Sequence, residues 1–315
     1  VTGFSEERLA PAGGIEISYQ EMGAPDAEPL LLIMGLGVQM LGWDEGLCSM
    51  LAERGFRVIR FDNRDVGRST KLDAAGVPRP ADILLRRRGT APYLLRDMAD
   101  DAIGLMDHLG IGAANVVGAS MGGMIGQTAA IRRPTRVRSL VSIMSTPNGR
   151  WLLRLPTWRS LGTFVMGPRR GREAAIEDAV RIFRAIGSPG YPMDEARLRE
   201  IAGASYDRSH RRAGIVRQLH AVVASADRTR ALQRLRIPAT AIHGADDPLV
   251  RPSGGRATAR AIPGARLRVI PGMGHDLPRE LWPTFVEEIV ATAARAGGHP
   301  AEERSSSMAL VAQPA

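Results

Sequence analysis

Three kinds of side chain in this sequence could together do covalent chemistry. They are the serine of Gly118-Ala119-Ser120-Met121-Gly122, the aspartates Asp246 and Asp247, and a late histidine, His275. A serine hydroxyl is a weak nucleophile at neutral pH. It needs a base to take its proton, and the base needs a third group to fix its tautomer and stabilise its cation. A set of that kind transfers an acyl group to serine and then to water. An apolar run, Asn115 to Val117, leads into the pentapeptide, and a helix-like stretch follows from Met121 to Arg133. Strand, tight turn and helix in that order strain the serine backbone and expose its hydroxyl. The residues two before and two after must then be small, as Gly118 and Gly122 are. The serine also sits at a helix N-terminus, where the macrodipole favours developing negative charge.

Of the six histidines, His108 falls in a helix pattern, His210 and His220 in a helical insertion, and His299 in the tail. His243 closes a strand just before the acidic loop, so it could serve the site, though such a histidine is more often structural. His275 lies in Pro271-Gly272-Met273-Gly274-His275, a glycine-rich loop after the last strand that can carry an imidazole to the sheet top. The acid is expected after the strand that ends at His243. Asp246 and Asp247 are both candidates there, and an aspartate pair before Pro248 is also ordinary turn chemistry. Hydrolysis also needs donors for a tetrahedral oxyanion. The N–H of Met121, next after the serine, is one. The N–H of Leu36, in the Gly35-Leu36-Gly37 loop after a buried strand, is expected to be the other. Loss of one such donor typically costs ~3 kcal/mol of transition-state stabilisation.

Other chemistries find little support. The sequence has no Cys/His cluster, no His-Glu-x-x-His and no phosphate loop after a strand, so neither a metal nor a cofactor is expected. The net charge of +9 is almost all arginine, with Lys71 the sole lysine, and its doublets and triplets are scattered without interleaved aromatics. That argues against a nucleic-acid partner, which needs a concentrated basic face. No run approaches the ~20 apolar residues that cross a bilayer, so no stable membrane insertion is expected. A single cysteine and the lack of a visible secretory signal suggest a cytoplasmic protein.

The elements that must position these groups alternate. Strands are expected at Ile15–Tyr19, Leu30–Met34, Val58–Phe61, the central run before Ser120, Val137–Met144, Ala239–His243 and Arg266–Ile270. Helices are expected at Trp43–Arg54, Leu94–Leu109, Met121–Arg133 and Glu280–Arg295. Residues 72–92 read as a loop with a helical turn. Between 146 and 236 no strand is expected, only amphipathic helices near Arg172–Ile186, Met193–Ser205 and Ala213–Ser225. The class is α/β, doubly wound, with a mostly parallel sheet whose strand ends carry each suspicious polar group.

The Gly118–Gly123 elbow, the Phe61–Ser69 loop, His243-Gly244-Ala245-Asp246-Asp247-Pro248 and Gly272-Met273-Gly274-His275 resemble the α/β-hydrolase superfamily over about Ile15–Arg295. More narrowly they resemble bacterial lipase/esterase-like hydrolases related to the aclacinomycin methylesterases. Met34 stands where many superfamily members carry histidine, a departure that fits this narrower branch. The resemblance selects Asp247 as the acid. It implies a hydrolase core at 1–145 and 237–296 with a helical cap at 146–236; the tail at 297–315, Ser/Ala/Pro-rich, is expected from its composition to be disordered. The expected activity is carboxylic ester hydrolysis through an acyl-enzyme, on small-molecule esters of short to medium acyl length. The alternatives are a methylesterase of a polyketide-type product and a non-catalytic ligand-binding protein on the same scaffold.

Overall fold

A computed structural model of the chain describes residues 3–147 and 171–297. Its elements in order are β1 (Arg8–Ala12), β2 (Ile15–Met22), β3 (Glu28–Ile33), α1 (Glu45–Glu53), β4 (Phe56–Phe61), α2 (Pro80–Leu84) and α3 (Leu95–His108). There follow β5 (Ala114–Ala119), α4 (Met121–Arg132), β6 (Val137–Ile143), α5 (Arg172–Ile186), α6 (Glu195–Arg208), α7 (Arg212–Ala224) and α8 (Thr229–Leu232). The chain closes with β7 (Ala239–Gly244), α9 (Ser253–Ala261), β8 (Arg266–Ile270) and α10 (Trp282–Ala294). The eight strands form one sheet in the order β1-β2-β4-β3-β5-β6-β7-β8. β2 runs antiparallel to both its neighbours, and all the other pairings are parallel.

The alternation of side chains along the central strands explains why helices cover both faces. In β3, Leu31 and Ile33 face one core with Met98, Met106, Met124 and Ile125 of α3 and α4. Leu30 and Leu32 face the other, with Leu47 and Leu51 of α1 and Phe285 and Ile289 of α10. A strand buried on both faces reads as a continuous apolar run, which is what Leu30–Ile33 is. Cys48 belongs to the second core, and burial pushes its thiol up to about 12, so it stays protonated and unreactive at neutral pH.

Chain direction puts the functional end of the sheet in the middle. β3 lies between β4 and β5, and the chain leaves β3 toward one edge and β5 toward the other. In an open α/β sheet the crevice beyond the strand C-termini at such a reversal is where ligands bind. The segments after β3, β5, β7 and β8 hold Gly35-Leu36, Ser120, Asp246-Asp247 and His275 respectively.

The structure adds elements that the sequence pattern does not announce. β1 pairs with β2 as an edge hairpin across Gly13 and Gly14, both with positive φ. Its Arg-Leu-Ala-Pro-Ala has little alternation, and Pro11 is tolerated because the strand lies at the sheet edge. The short helix α2 is the helical turn expected within residues 72–92, whereas α9, in the connection from β7 to β8, is not expected from the sequence. Of the helical stretch expected at 146–236, residues 148–170 lie outside the described residues, as does the tail from 298 onward. Among the described residues no helix is long and apolar enough to cross a membrane.

Candidate active site

Ser120 holds the turn between β5 and α4 with φ 54° and ψ −117°. A residue other than glycine pays for positive φ with strain of about 1–3 kcal/mol, and persists there only when its surroundings over-determine it. Here they do. Ser120 N–H donates to the Ile143 carbonyl at 2.9 Å, and its own carbonyl accepts from Gly123 N–H at 3.0 Å and from the Ser145 hydroxyl at 2.8 Å. The sharp turn brings backbone against backbone. A Cβ on Gly118 would stand 2.2 Å from the Gly122 carbonyl oxygen, and one on Gly122 would stand 2.0 Å from that of Ile33. Gly122→Ala is therefore expected to cost at least about 3 kcal/mol, because the overpacked neighbour is a strand carbonyl that cannot swing away. Thermal denaturation measures it; an unchanged melting midpoint would refute the close packing.

His275 bridges serine and acid. Its Nε2 lies 3.0 Å from Ser120 Oγ and its Nδ1 lies 2.7 Å from Asp247 Oδ2. With Nδ1–H donating to the carboxylate, Nε2 is left with a lone pair that can accept a hydrogen bond from the serine hydroxyl. Asp247 is buried. Its other oxygen, Oδ1, accepts from the backbone N–H groups of Leu249 at 2.9 Å and Val250 at 2.8 Å. Burial pushes the carboxyl up, but electrostatic attraction to the His275 ring and the hydrogen bonds from His243 and His275 outweigh that and hold it well below the usual carboxylate range. Asp246, one residue earlier, points elsewhere and accepts from Gly272 N–H at 2.8 Å. Of the two adjacent aspartates, Asp247 faces His275 and Asp246 does not.

Leu36 lies in the loop after β3, and Met121 is the first residue of α4, directly after the serine. Gly35 is so close that a Cβ there would stand 3.3 Å from the Ser120 Cβ, which puts the loop after β3 at the mouth of the site. Two side chains brace that loop, and neither stands out in the sequence as a functional residue. Asn63 Nδ2 donates to the Met34 carbonyl at 3.0 Å. Gln218, fully buried on α7, accepts from Gly37 N–H at 2.9 Å and donates to the Arg64 carbonyl at 2.8 Å. Asn63 sits in the polar loop after β4, which is visible in the sequence. A lone glutamine in an amphipathic helix gives no signal at all. His243, at the end of β7, also reaches Asp247. Its Nε2 is 2.7 Å from the Val250 carbonyl and 3.4 Å from Asp247 Oδ2. Met121 and Met273 are buried in the two cores, one on each face of the sheet.

Comparison with known proteins fits this geometry. A family model described as the alpha/beta hydrolase fold matches residues 28–163. A rhodomycin D methylesterase of Streptomyces peucetius is 30% identical over 298 residues, 86% of this chain and 92% of that protein. The chain belongs to the α/β-hydrolase family. Among solved structures, an esterase from Rhodococcus sp. ECU1013 resembles this α/β hydrolase with a TM-score of 0.70 at 20% identity, covering 93% of this chain and 100% of that one. The enol-lactonase from Burkholderia xenovorans LB400 does so with a TM-score of 0.67 at 23% identity, covering 91% and 100%. At those identities the structural likeness speaks for the fold, and the side-chain geometry must carry the chemistry of this α/β hydrolase.

Proposed function

We propose that this ester hydrolase is a serine carboxylesterase in which Ser120 is the nucleophile, His275 the general base and then acid, and Asp247 the group that orients His275. The observation that carries the reading is the unbroken pair of hydrogen bonds from Ser120 Oγ through His275 to Asp247, at 3.0 Å and 2.7 Å. Ser120 attacks the ester carbonyl as His275 Nε2 takes its proton. The imidazolium, stabilised by Asp247, returns that proton to the leaving alcohol. Water, activated by the same imidazole, then releases the acid from the acyl-serine. The N–H groups of Leu36 and Met121 would hold the oxyanion. Supporting Leu36, the next two N–H groups of its loop are engaged: Gly37 donates to Gln218 and Val38 to the Gly35 carbonyl.

On this reading residues 146–236 form a cap over a core made of 1–145 and 237–296. α7 crosses the oxyanion loop, and Ile215 packs against Gly37 closely enough that a Cβ there would meet its Cγ1 at 3.1 Å. A helix packed that closely on the proposed oxyanion loop favours short to medium acyl groups. A second reading, hydrolysis of a methyl ester on a polyketide-type product, is favoured by the 30% identity to the rhodomycin D methylesterase along nearly its whole length. The complete Ser-His-Asp set speaks against a purely ligand-binding role. A fluorophosphonate probe should label Ser120 stoichiometrically. A panel of esters graded in acyl length and alcohol size, with a polyketide methyl ester included, should show soluble short and medium esters turned over faster than long-chain triglyceride emulsions. No label at Ser120 would overturn the catalytic reading, and faster emulsion hydrolysis would overturn the size limit.

A further inference from the structure

The loop that carries His275 is joined to the turn between α5 and α6. His275 N–H donates to the Ile186 carbonyl at 2.7 Å, and Gly190 N–H donates to the Gly272 carbonyl at 2.9 Å. Between these two links stands Ser188. Its hydroxyl oxygen accepts from Gly274 N–H at 2.8 Å and its hydroxyl proton goes to Asp276 Oδ1, while its N–H reaches Asp276 Oδ2 at 3.2 Å. One side chain of the cap thus holds the residue before the base and the residue after it. The approach is close: a Cβ on Gly274 would stand 2.3 Å from the Gly187 carbonyl oxygen. Burial holds the carboxyl of Asp276 above the usual carboxylate range, and the two Ser188 donors only partly oppose that rise.

We propose that Ser188 is a positioning residue for the general base: through Gly274 and Asp276 it fixes the rotation of the His275 loop, so the cap supplies part of the catalytic scaffold as well as the roof of the pocket. The proposal rests on the Ser120–His275–Asp247 reading. Physically, proton transfer from Ser120 depends on a 3.0 Å contact at the tip of a glycine-rich loop. Residual freedom there of about 1 Å is enough to cost on the order of 10²-fold in rate. The loop has core supports of its own, since Asp246 N–H donates to the Met273 carbonyl at 3.0 Å and Gly272 N–H to the Asp246 carboxylate. Those supports lie before Gly274. The backbone N–H groups of Gly274 and His275 and the carboxylate of Asp276 are held by the cap turn instead.

The test is steady-state kinetics of the full chain on one soluble ester, at a temperature well below every variant's melting midpoint. Ser188→Ala is expected to lower kcat about 10-fold or more with KM within about 2-fold, and Ser188→Thr, which keeps the hydroxyl, to recover most of it. Fluorophosphonate should still label Ser120 to completion in Ser188→Ala, but more slowly in proportion to kcat, because the same base activates the serine. Asp276→Ala should resemble Ser188→Ala, and the double variant should be little worse than either, since both break one linkage. A Ser188→Ala enzyme with wild-type kcat and only a lower melting midpoint would make Ser188 a structural staple and sink the proposal. So would a raised KM at unchanged kcat, which would place the cap's effect in binding. Failure of the underlying reading looks different: wild-type Ser120 would then not label, and Ser120→Ala would stay active.

Discussion

Ser120→Ala is expected to lower kcat for ester hydrolysis by about 10⁶, the scale seen when the nucleophile of a comparable triad is removed. Binding and the oxyanion donors survive the change, so a residue of about 10³ to 10⁴ over the uncatalysed rate is expected to persist. The fold should survive as well. The hydroxyl's partner is His275, at the partly open surface of the site, and the backbone bonds that hold the turn come from the Ser120 main chain, which alanine keeps. A companion variant separates strain from chemistry. Because Ser120 has φ 54°, Ser120→Gly relieves a left-handed conformation that both serine and alanine must suffer. Strain relief of about 1–3 kcal/mol set against a glycine entropy cost of about 0.5–1 kcal/mol leaves Ser120→Gly more stable than Ser120→Ala by about 1 kcal/mol. Both variants should be equally inactive. Kinetics and thermal melts on the three proteins check this. Activity above a few per cent in a clean Ser120→Ala preparation would remove the serine from its role, and a less stable Ser120→Gly would mean that the turn is unstrained.

How much of this could be read from residue order follows from how local each signal is. The elbow is legible because a strained turn between strand and helix demands small residues at fixed offsets, all within Gly118–Gly122. The buried strand β3 is legible because Leu30–Ile33 is a continuous apolar run that ends in a glycine-containing loop. The hairpin strand β1 and helix α9 are not, for opposite reasons. Arg8–Ala12 has a proline and no clear alternation, and Ser253–Ala261 opens on two glycines and carries no large apolar residue. Their places are set by pairing and packing. The supports around the proposed site are less legible still. Gln218 meets a loop 181 positions earlier, and Ser188 meets residues more than 80 positions later. A single polar side chain in a helix or a turn carries no periodicity, so its partner exists only once the chain has folded.

The adjacent aspartates give the second large effect. Asp247→Asn is expected to lower kcat by about 10⁴, while Asp246→Asn should leave kcat within about 2-fold. The direction follows from how each oxygen of Asp247 is used. Oδ1 receives two backbone donors, Leu249 N–H and Val250 N–H, so an asparagine must place its carbonyl oxygen there. Its amide nitrogen then faces His275 Nδ1 from the position of Oδ2. A donor opposite Nδ1 forces the proton onto Nε2, and Nε2 can no longer accept the proton of Ser120. The variant also removes the charge that stabilises the imidazolium. Asp246 has no such part: its carboxylate lies on the surface and accepts from Gly272 N–H, a bond that an amide oxygen can still accept, so stability should change by about 1 kcal/mol or less. The two variants should also differ in acid. A carboxyl held below its unfolded value stabilises the fold above the unfolded pKa of about 3.9 and loses that contribution as pH falls below it. Wild type should therefore exceed Asp247→Asn in melting midpoint at pH 7, and the gap should narrow as pH falls below about 4. Measuring kcat on one soluble ester at pH 7, with melts at both pH values, decides the assignment. A crippled Asp246→Asn beside a near-normal Asp247→Asn would move the acid by one residue. Two near-normal enzymes would mean that the hydrogen bond from His275 to Asp247 has no part in turnover.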